Sequence, residues 1–264
     1  MSTILDQLAG HARERVAADR ARVPLETLKK LCLRGDVPIR EPFAFEAALK
    51  KPGLSFICEL KKASPSKGII AESFPYLDIA RDYAAAGADA ISCLTEPKWF
   101  LGSDMIFTDV RAAVDLPMLR KDFTVDEYQI YQAKTMGADA VLLICAILSS
   151  DEIRRYLSLC EELGLSALVE AHDAAEIETA IAAGARIIGV NNRNLKDFSV
   201  DTGNSKRLKE LVPAGVLFVS ESGIQSAEDV QLLRESGVDA VLIGEALMRA
   251  SDKKAMLDRF RGAI

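Results

Sequence analysis

Four charged residues stand where apolar runs end and a packed core has no use for charge. Glu59 and Lys61 close the run Ser55–Leu60 two positions apart, Lys121 follows Leu119-Arg120, and Glu170 follows Leu168-Val169. Two acids and two lysines facing one pocket shift one another's pKa values, as proton transfer near neutral pH requires. Lys62, Arg120 and Asp122 are out of phase with these positions and are expected to face helices or the rim. A second signal lies further on: Glu221-Ser-Gly-Ile224 and Gly244-Glu-Ala246 each put Gly where a loop meets a helix start. Such turns bind phosphate through backbone N–H groups, and Arg193 could add a fixed cation. The two histidines, His11 and His172, offer no spaced metal cluster, so no metal or other cofactor is expected. His172 is expected to cap the helix after Asp173 or to pack in the loop.

Those residues need elements to bring them together, and the chain repeats one phrase that supplies them. Gly87-Ala-Asp-Ala-Ile91, Gly137-Ala-Asp-Ala-Val141, Gly184-Ala-Arg-Ile-Ile188 and Gly237-Val-Asp-Ala-Val241 recur about fifty residues apart, the length of two βα units. Each follows a helical stretch (Leu77–Ala86, Glu127–Met136, Ala174–Ala183, Ala227–Ser236) and leads into a β-branched run. Gly ends a helix readily because it adopts positive φ without strain, and a continuously apolar strand is one covered on both faces. The candidate strands are Ser55–Leu60, Ala90–Leu94, Pro117–Arg120, Ala140–Cys145, Ser166–Val169, Ile187–Val190, Leu217–Ser220 and Ala240–Ile243. Thr124-x-x-Glu127, Asp173 and Ser226-x-x-Asp229 read as helix N-caps.

Eight strands alternating with helices predict an α/β protein, a closed (β/α)8 TIM barrel, over an open doubly wound sheet, which usually carries a GxGxxG turn absent here. In a barrel the repeated Asp89, Asp139 and Asp239 fall at strand starts and read as stability features. The candidate chemistry falls at the opposite ends, where barrel active sites lie. Residues 1–50 precede the repeat as an N-terminal helical extension, with helices at Ile4–Arg22 and Leu25–Cys32 before Pro38 and Pro42. It could plug the barrel bottom or fold over the top; the sequence leaves both open. The whole chain, 1–264, is expected to be a single barrel domain.

Composition narrows the partners. The 264 residues are 49% hydrophobic and 27% charged, with a net charge of −6, which suits a soluble globular protein and argues against nucleic acid. No apolar run is long enough to span a bilayer, and Met1–Gly10 lacks a secretory pattern, so a cytoplasmic protein is expected. Five cysteines without a CxxC pair read as buried thiols in a reducing compartment. A small phosphorylated substrate, no membrane and a monomer or weak homodimer complete the expectation.

Taken as a set, the motifs resemble a known family. Phe56-Ile-Cys-Glu-Leu-Lys-Lys-Ala-Ser-Pro-Ser-Lys-Gly68 is similar to the first-strand signature of indole-3-glycerol-phosphate synthase. Leu94-Thr-Glu96, Trp99–Ser103, Leu119–Phe123, Leu168–His172, Gly189–Leu195, Ser220–Ile224 and Leu242–Met248 extend the likeness along the chain. The resemblance implies conversion of 1-(2-carboxyphenylamino)-1-deoxyribulose 5-phosphate into indole-3-glycerol phosphate with loss of carbon dioxide and water. Lys121 matches the general acid, which is expected to sit among cations that lower its pKa. Lys61 matches a clamp for the anthranilate carboxylate, and Glu59 and Glu170 match groups that move protons or stabilise the cationic intermediate. Which of the two removes the final proton stays open.

The resemblance also implies that Asn191 and Glu221 hold sugar hydroxyls, with Ser222 beside them and Asn191 and Ser222 counted in the catalytic set. Arg193, Gly223, Gly244 and the Glu245 backbone match a phosphate cradle. Pro65, Phe123 and Leu142 would form an apolar slot for the aromatic ring, with Ser64 also touching substrate. Glu245 departs from the family's common Ser; its N–H is expected to meet phosphate while its carboxylate turns to solvent. A sugar-phosphate isomerase on a related barrel, such as phosphoribosylanthranilate isomerase, would lack the pairing of Lys61 with Lys121. A non-catalytic phosphosugar-binding barrel would have lost the acid, the clamp and both glutamates.

Overall fold

The apolar runs pair in parallel and close on themselves. The computed structural model describes residues 3–193, 199–201 and 203–262. Its barrel strands, numbered one to eight below, are Ser55–Leu60, Ala90–Leu94, Met118–Lys121, Ala140–Ile144, Ser166–Ala171, Ile187–Asn191, Leu217–Glu221 and Ala240–Ile243. Each pairs with the next, and strand eight returns to strand one. Strands three, five, six and seven run one or two residues further than their apolar runs suggested. Ladder pairs such as Leu94 with Lys121 and Asn191 with Glu221 carry polar residues into the sheet, where hydropathy alone ends the strand early. Strand four stops at Ile144 because Cys145–Ile147 turns into a short 3-10 helix.

Alternation along each strand separates two cores. Ile57, Leu119, Leu142, Leu168, Ile187, Val219 and Leu242 fill the barrel interior. Phe56, Cys58, Val141, Val169, Ile188, Phe218 and Val241 face the helices. Continuing the inward phase by two residues leads from Ile57 to Glu59 and Lys61, from Leu119 to Lys121, and from Leu168 to Glu170. Val219 likewise leads to Glu221. The site charges are therefore the last members of the interior rows.

At the barrel bottom the repeated aspartates tie each strand to the one before. The carboxylates of Asp89, Asp139 and Asp239 accept the N–H groups of Phe56 (2.9 Å), Met118 (2.8 Å) and Phe218 (2.7 Å). Arg40 and Arg111 pair with Asp139 as well. The fourth copy of the phrase has Arg186 instead, which pairs with Glu46 at 2.8 Å.

The N-terminal extension does both of the jobs left open by the sequence. Its first helix, Ile4–Arg22, is capped by Thr3 in a capping box with Asp6 and lies across the mouth. There His11 meets Glu96 and Arg15 meets Asp122. A third helix, Ala44–Leu49, absent from the sequence reading, plugs the bottom with Phe45 and Leu49 fully buried in the interior core. Its six residues are too few to show a helical period against the prolines before them. The helix starting at Glu127 is capped by Asp126, not by Thr124, because Asp126 Oδ1 accepts the Tyr128 N–H directly. Asp173 and Ser226 cap their helices as expected.

Candidate active site

All fifteen residues singled out in the sequence line one cavity at the C-terminal mouth of the barrel. Two ion-paired groups face each other there. On one side Lys61 Nζ lies 2.7 Å from Glu59 Oε1, and Ser92 Oγ donates to Glu59 Oε2 at 3.2 Å. On the other, Lys121 Nζ donates to Glu170 Oε2 at 3.1 Å and to Glu221 Oε2 at 2.5 Å. Asn191 Nδ2 donates to Glu170 Oε1 at 3.2 Å and fixes that carboxylate from its free side.

The electrostatics overturn one expectation. Lys121 is surrounded by carboxylates, not cations. Burial works to lower its pKa, but the charges of Glu221, Glu170 and Glu59 outweigh burial and raise it. Glu170 goes the opposite way to most buried carboxyls: burial pushes it up, yet Lys121, His172 and the Asn191 hydrogen bond hold it below the usual range. Glu221 receives less help. Burial, reinforced by the charges of Glu170 and Glu59, pushes it up to about 7 despite Lys121. Its Oε1 is buried with no hydrogen-bond partner among the described residues, an acceptor that a sugar hydroxyl could satisfy.

Two glycines make room for these groups. A Cβ at Gly189 would overlap Glu221 Oε1, and one at Gly244 would come within 2.6 Å of Glu59 Oε1 and 2.8 Å of Lys61 Nζ. Sequence reading placed Gly244 in the phosphate cradle and missed Gly189. Its signal was present: a Gly inside a β-branched strand marks a close approach.

Pro65, Phe123 and Leu142 line the cavity together with apolar residues that the sequence did not single out. Phe100 stands 6.1 Å from the Phe123 ring, and Ile4 and Leu8 of the N-terminal helix complete the wall. Phe100 is delivered by a tightly held loop. The wholly buried Glu96 carboxylate accepts the N–H groups of Lys98, Trp99 and Phe100 at 3.0, 2.7 and 3.0 Å. Ser64 lies in a short hairpin, Ala63–Ser64 with Gly68–Ile69, that is tied to the same loop by the Ala63 N–H to Phe100 O bond.

On the opposite rim, Arg193, Ser222, Gly223, Gly244 and Glu245 gather where strands six to eight end. Ser222 sits at φ 65°, a conformation that a side chain rarely takes, and Asn192 Nδ2 holds its carbonyl at 3.1 Å. Glu245 is not turned to open solvent: its carboxylate accepts from Arg249 Nε at 3.3 Å and lies 3.8 Å from Lys67 Nζ. Two cations therefore offset the charge that the substitution brings to this rim.

Arg120 points away from the cavity, as its phase requires, whereas Asp122 still borders it. Arg120 donates to Asp104 and to the Gln129 carbonyl, and Asp122 receives a two-pronged hydrogen bond from Arg15 and one from Thr95. Burial would push the Asp122 carboxyl up, but Arg15 and Arg120 hold it below the usual range. His172 packs in its loop, with its N–H and Nδ1 on Glu176 Oε2. Asn194 and Leu195 of the strand-six motif lie outside the described residues.

A profile of the indole-3-glycerol phosphate synthase family matches residues 5–260. The chain belongs to the indole-3-glycerol phosphate synthase family. The synthase of Ruminiclostridium cellulolyticum is 55% identical over 260 residues, covering 98% of this chain and 99% of that relative. The synthase of Lachnoclostridium phytofermentans is 46% identical, covering 99% and 100%. Among solved structures, a 3-hexulose-6-phosphate synthase aligns with a TM-score of 0.65 at 18% identity, over 80% of this chain and all of that one. A thiamine phosphate pyrophosphorylase from Pyrococcus furiosus aligns at 0.59 and 18%, over 79% of this chain and 94% of its own. These two share the TIM-barrel fold. Membership in the synthase family makes the protein a carboxy-lyase of tryptophan biosynthesis acting on a phosphorylated small molecule.

Proposed function

We propose that Lys121 is the general acid of the synthase reaction and that its two carboxylate partners set its working state. The observation that carries this reading is the Lys121 ammonium held between Glu170 and Glu221 in the cavity at the barrel mouth, with the Glu59–Lys61 pair lining the same cavity. Ring closure needs a proton on the ribulose carbonyl oxygen as the aromatic carbon attacks it. Lys121 supplies it. Before substrate binds, the two carboxylates keep the lysine charged; substrate hydroxyls that take over Glu221 would loosen that hold and ease proton release.

Lys61 clamps the anthranilate carboxylate and orients the ring against the carbonyl. Pro65, Phe123 and Leu142 hold the ring's faces, and Ser64 adds a polar contact. Glu170 stabilises the cationic intermediate and exchanges protons with Lys121, while Glu59 serves the Lys61 side. Asn191, Glu221 and Ser222 hold the sugar hydroxyls. Arg193, Gly223, Gly244 and the Glu245 backbone take the phosphate, with the Glu245 carboxylate engaged by Arg249. The chemistry so assigned uses side chains alone. We place it in one domain spanning the chain, working as a monomer or weak homodimer, because one chain supplies every wall of the cavity. A cytoplasmic setting fits the free thiols of Cys32, Cys58, Cys93, Cys145 and Cys160; no helix among the described residues is long and apolar enough to cross a membrane.

The test is direct. Incubation with 1-(2-carboxyphenylamino)-1-deoxyribulose 5-phosphate should raise indole fluorescence, and Lys121→Ala should lose turnover by several orders of magnitude, with Arg193→Ala chiefly raising KM. Unchanged turnover in Lys121→Ala would remove the acid from this scheme.

A further inference from the structure

The reaction takes up a proton, and the fold must deliver it. One proton goes onto the ribulose carbonyl oxygen as the new carbon–carbon bond forms. The electron pair of the breaking carbon–carboxylate bond returns to the ring system as carbon dioxide leaves. A second proton goes onto the resulting hydroxyl as it departs as water, and one proton comes off the carbon beside nitrogen. Two enter and one leaves, so each turnover draws one proton from solvent. Lys121 lines the cavity with its side chain only 12% exposed, and a substrate seated against it would shut off what contact with water remains.

Behind Glu170 lies a second cavity, of about 370 Å³, lined by His172, Asp173, Glu176, Asp201 and Asn204. Asn191 borders both cavities. His172 stands between them. Its Nδ1 lies 3.3 Å from Glu176 Oε2, and its Nε2 lies 3.8 Å from Glu170 Oε1. That Nε2 is buried and has no hydrogen-bond partner among the described residues, although a carboxylate faces it. The Asn204 side chain holds the His172 carbonyl at 3.1 Å and fixes the loop.

We propose that Glu176 and His172 form a proton inlet that recharges Lys121 through Glu170. The inference rests on the roles given above to Lys121 and Glu170. Glu176, about one-fifth exposed, takes a proton from water in the second cavity and gives it to His172 Nδ1. The Nε2–H bond breaks as an O–H bond forms on Glu170 Oε1, after a small ring rotation closes the gap to hydrogen-bond distance. Glu170 then returns the proton to the Lys121 amine; His172 is left with its proton on Nδ1, and a turn of the ring with exchange through water of the second cavity restores the Nε2–H form before the next turnover. Asp173 and Asp201 line the second cavity beside His172, and its charged form is favoured by Glu170 of strand five, Glu176 of the following helix and Glu221 of strand seven. Burial opposes them, but together they raise its pKa. His172 is a positioning residue in this scheme, acting on substrate only through Glu170.

The experiment compares His172→Gln and Glu176→Gln with the parent enzyme and with Lys121→Ala, across pH and in deuterium oxide. The inlet predicts that His172→Gln lowers kcat by about ten- to hundredfold, leaves KM within about twofold, and steepens the loss of rate as pH rises. The solvent isotope effect should grow, and added imidazole should restore part of the rate of His172→Ala. If Lys121→Ala is inactive while His172→Gln keeps the parent kcat, pH profile and isotope effect, the inlet falls and the acid stands. If His172→Gln loses rate through KM alone, with no imidazole rescue of His172→Ala, the residue is structural and the inlet falls. If Lys121→Ala keeps full turnover, the acid assignment falls and takes the inlet with it.

Discussion

A charged side chain deep in a barrel is tolerable only when its partners arrive with it. Lys121, Glu170 and Glu221 illustrate this at the residue scale: each is nearly or wholly shut from water, Lys121 is held by both carboxylates, Glu170 by Lys121 and Asn191, and Glu221 by Lys121 alone. The arrangement leaves one acceptor open, Glu221 Oε1, and one carboxyl near neutrality, Glu221 itself. It also depends on an absent side chain. Gly189→Ala would drive its methyl group into Glu221 Oε1 and to 3.1 Å from Leu168 Cδ1, displacing Glu221 from Lys121. The expected result is a loss in kcat of about ten- to hundredfold in a chain that still folds, read by steady-state kinetics beside circular dichroism. Parent-like kcat would show that the glycine serves packing only. Glu59, Lys61, Lys121 and Glu170 were legible in the sequence, because a charge after an apolar run is a local anomaly, whereas Asn191, Ser222 and the apolar lining came only from the family resemblance. The carboxylate surroundings of Lys121 were not, since Glu170 and Glu221 lie 49 and 100 positions away.

At the scale of elements, the N-terminal helix is the piece whose role the sequence left undecided. Its apolar and polar residues are barely segregated, so hydropathy could not say what it covers. The structure fastens it to the mouth through polar pairs: Arg15 with Asp122, His11 with Glu96 and Arg20 with Asp126. Arg15 and Asp122 form the two-pronged pair among these, with hydrogen bonds of 3.0 and 2.6 Å on a carboxylate that is 2% exposed. Arg15→Ala would leave Asp122 with Thr95, the Phe123 N–H and a more distant Arg120. The expected cost is about 1.5–3 kcal/mol in urea denaturation. KM should rise with it, because Ile4 and Leu8 on the same helix line the cavity. A stability loss without a KM change would separate the helix from substrate binding.

At the scale of the whole molecule, stability and chemistry occupy opposite ends of one barrel. The bottom holds the aspartate–backbone ties and the plug helix; the top holds the cavity. Phe45→Ala removes a wholly buried ring from the plug, and the expected cost is about 3–5 kcal/mol. KM of the surviving folded enzyme should stay at the parent value, since the site is at the other end; a raised KM would show that the two ends are coupled. The sequence by itself determined the barrel, the strands to within one or two residues, and the charged side chains at their C-terminal ends. Those follow from local rules: a period of two along a strand, helix stops at Gly, and charge out of place after apolar runs. Only the tertiary structure decided how the charges pair, which glycines clear space for them, and where the N-terminal segment goes. Those depend on contacts between residues far apart in the chain, and distance through space is set by closure of the barrel, which no local pattern records.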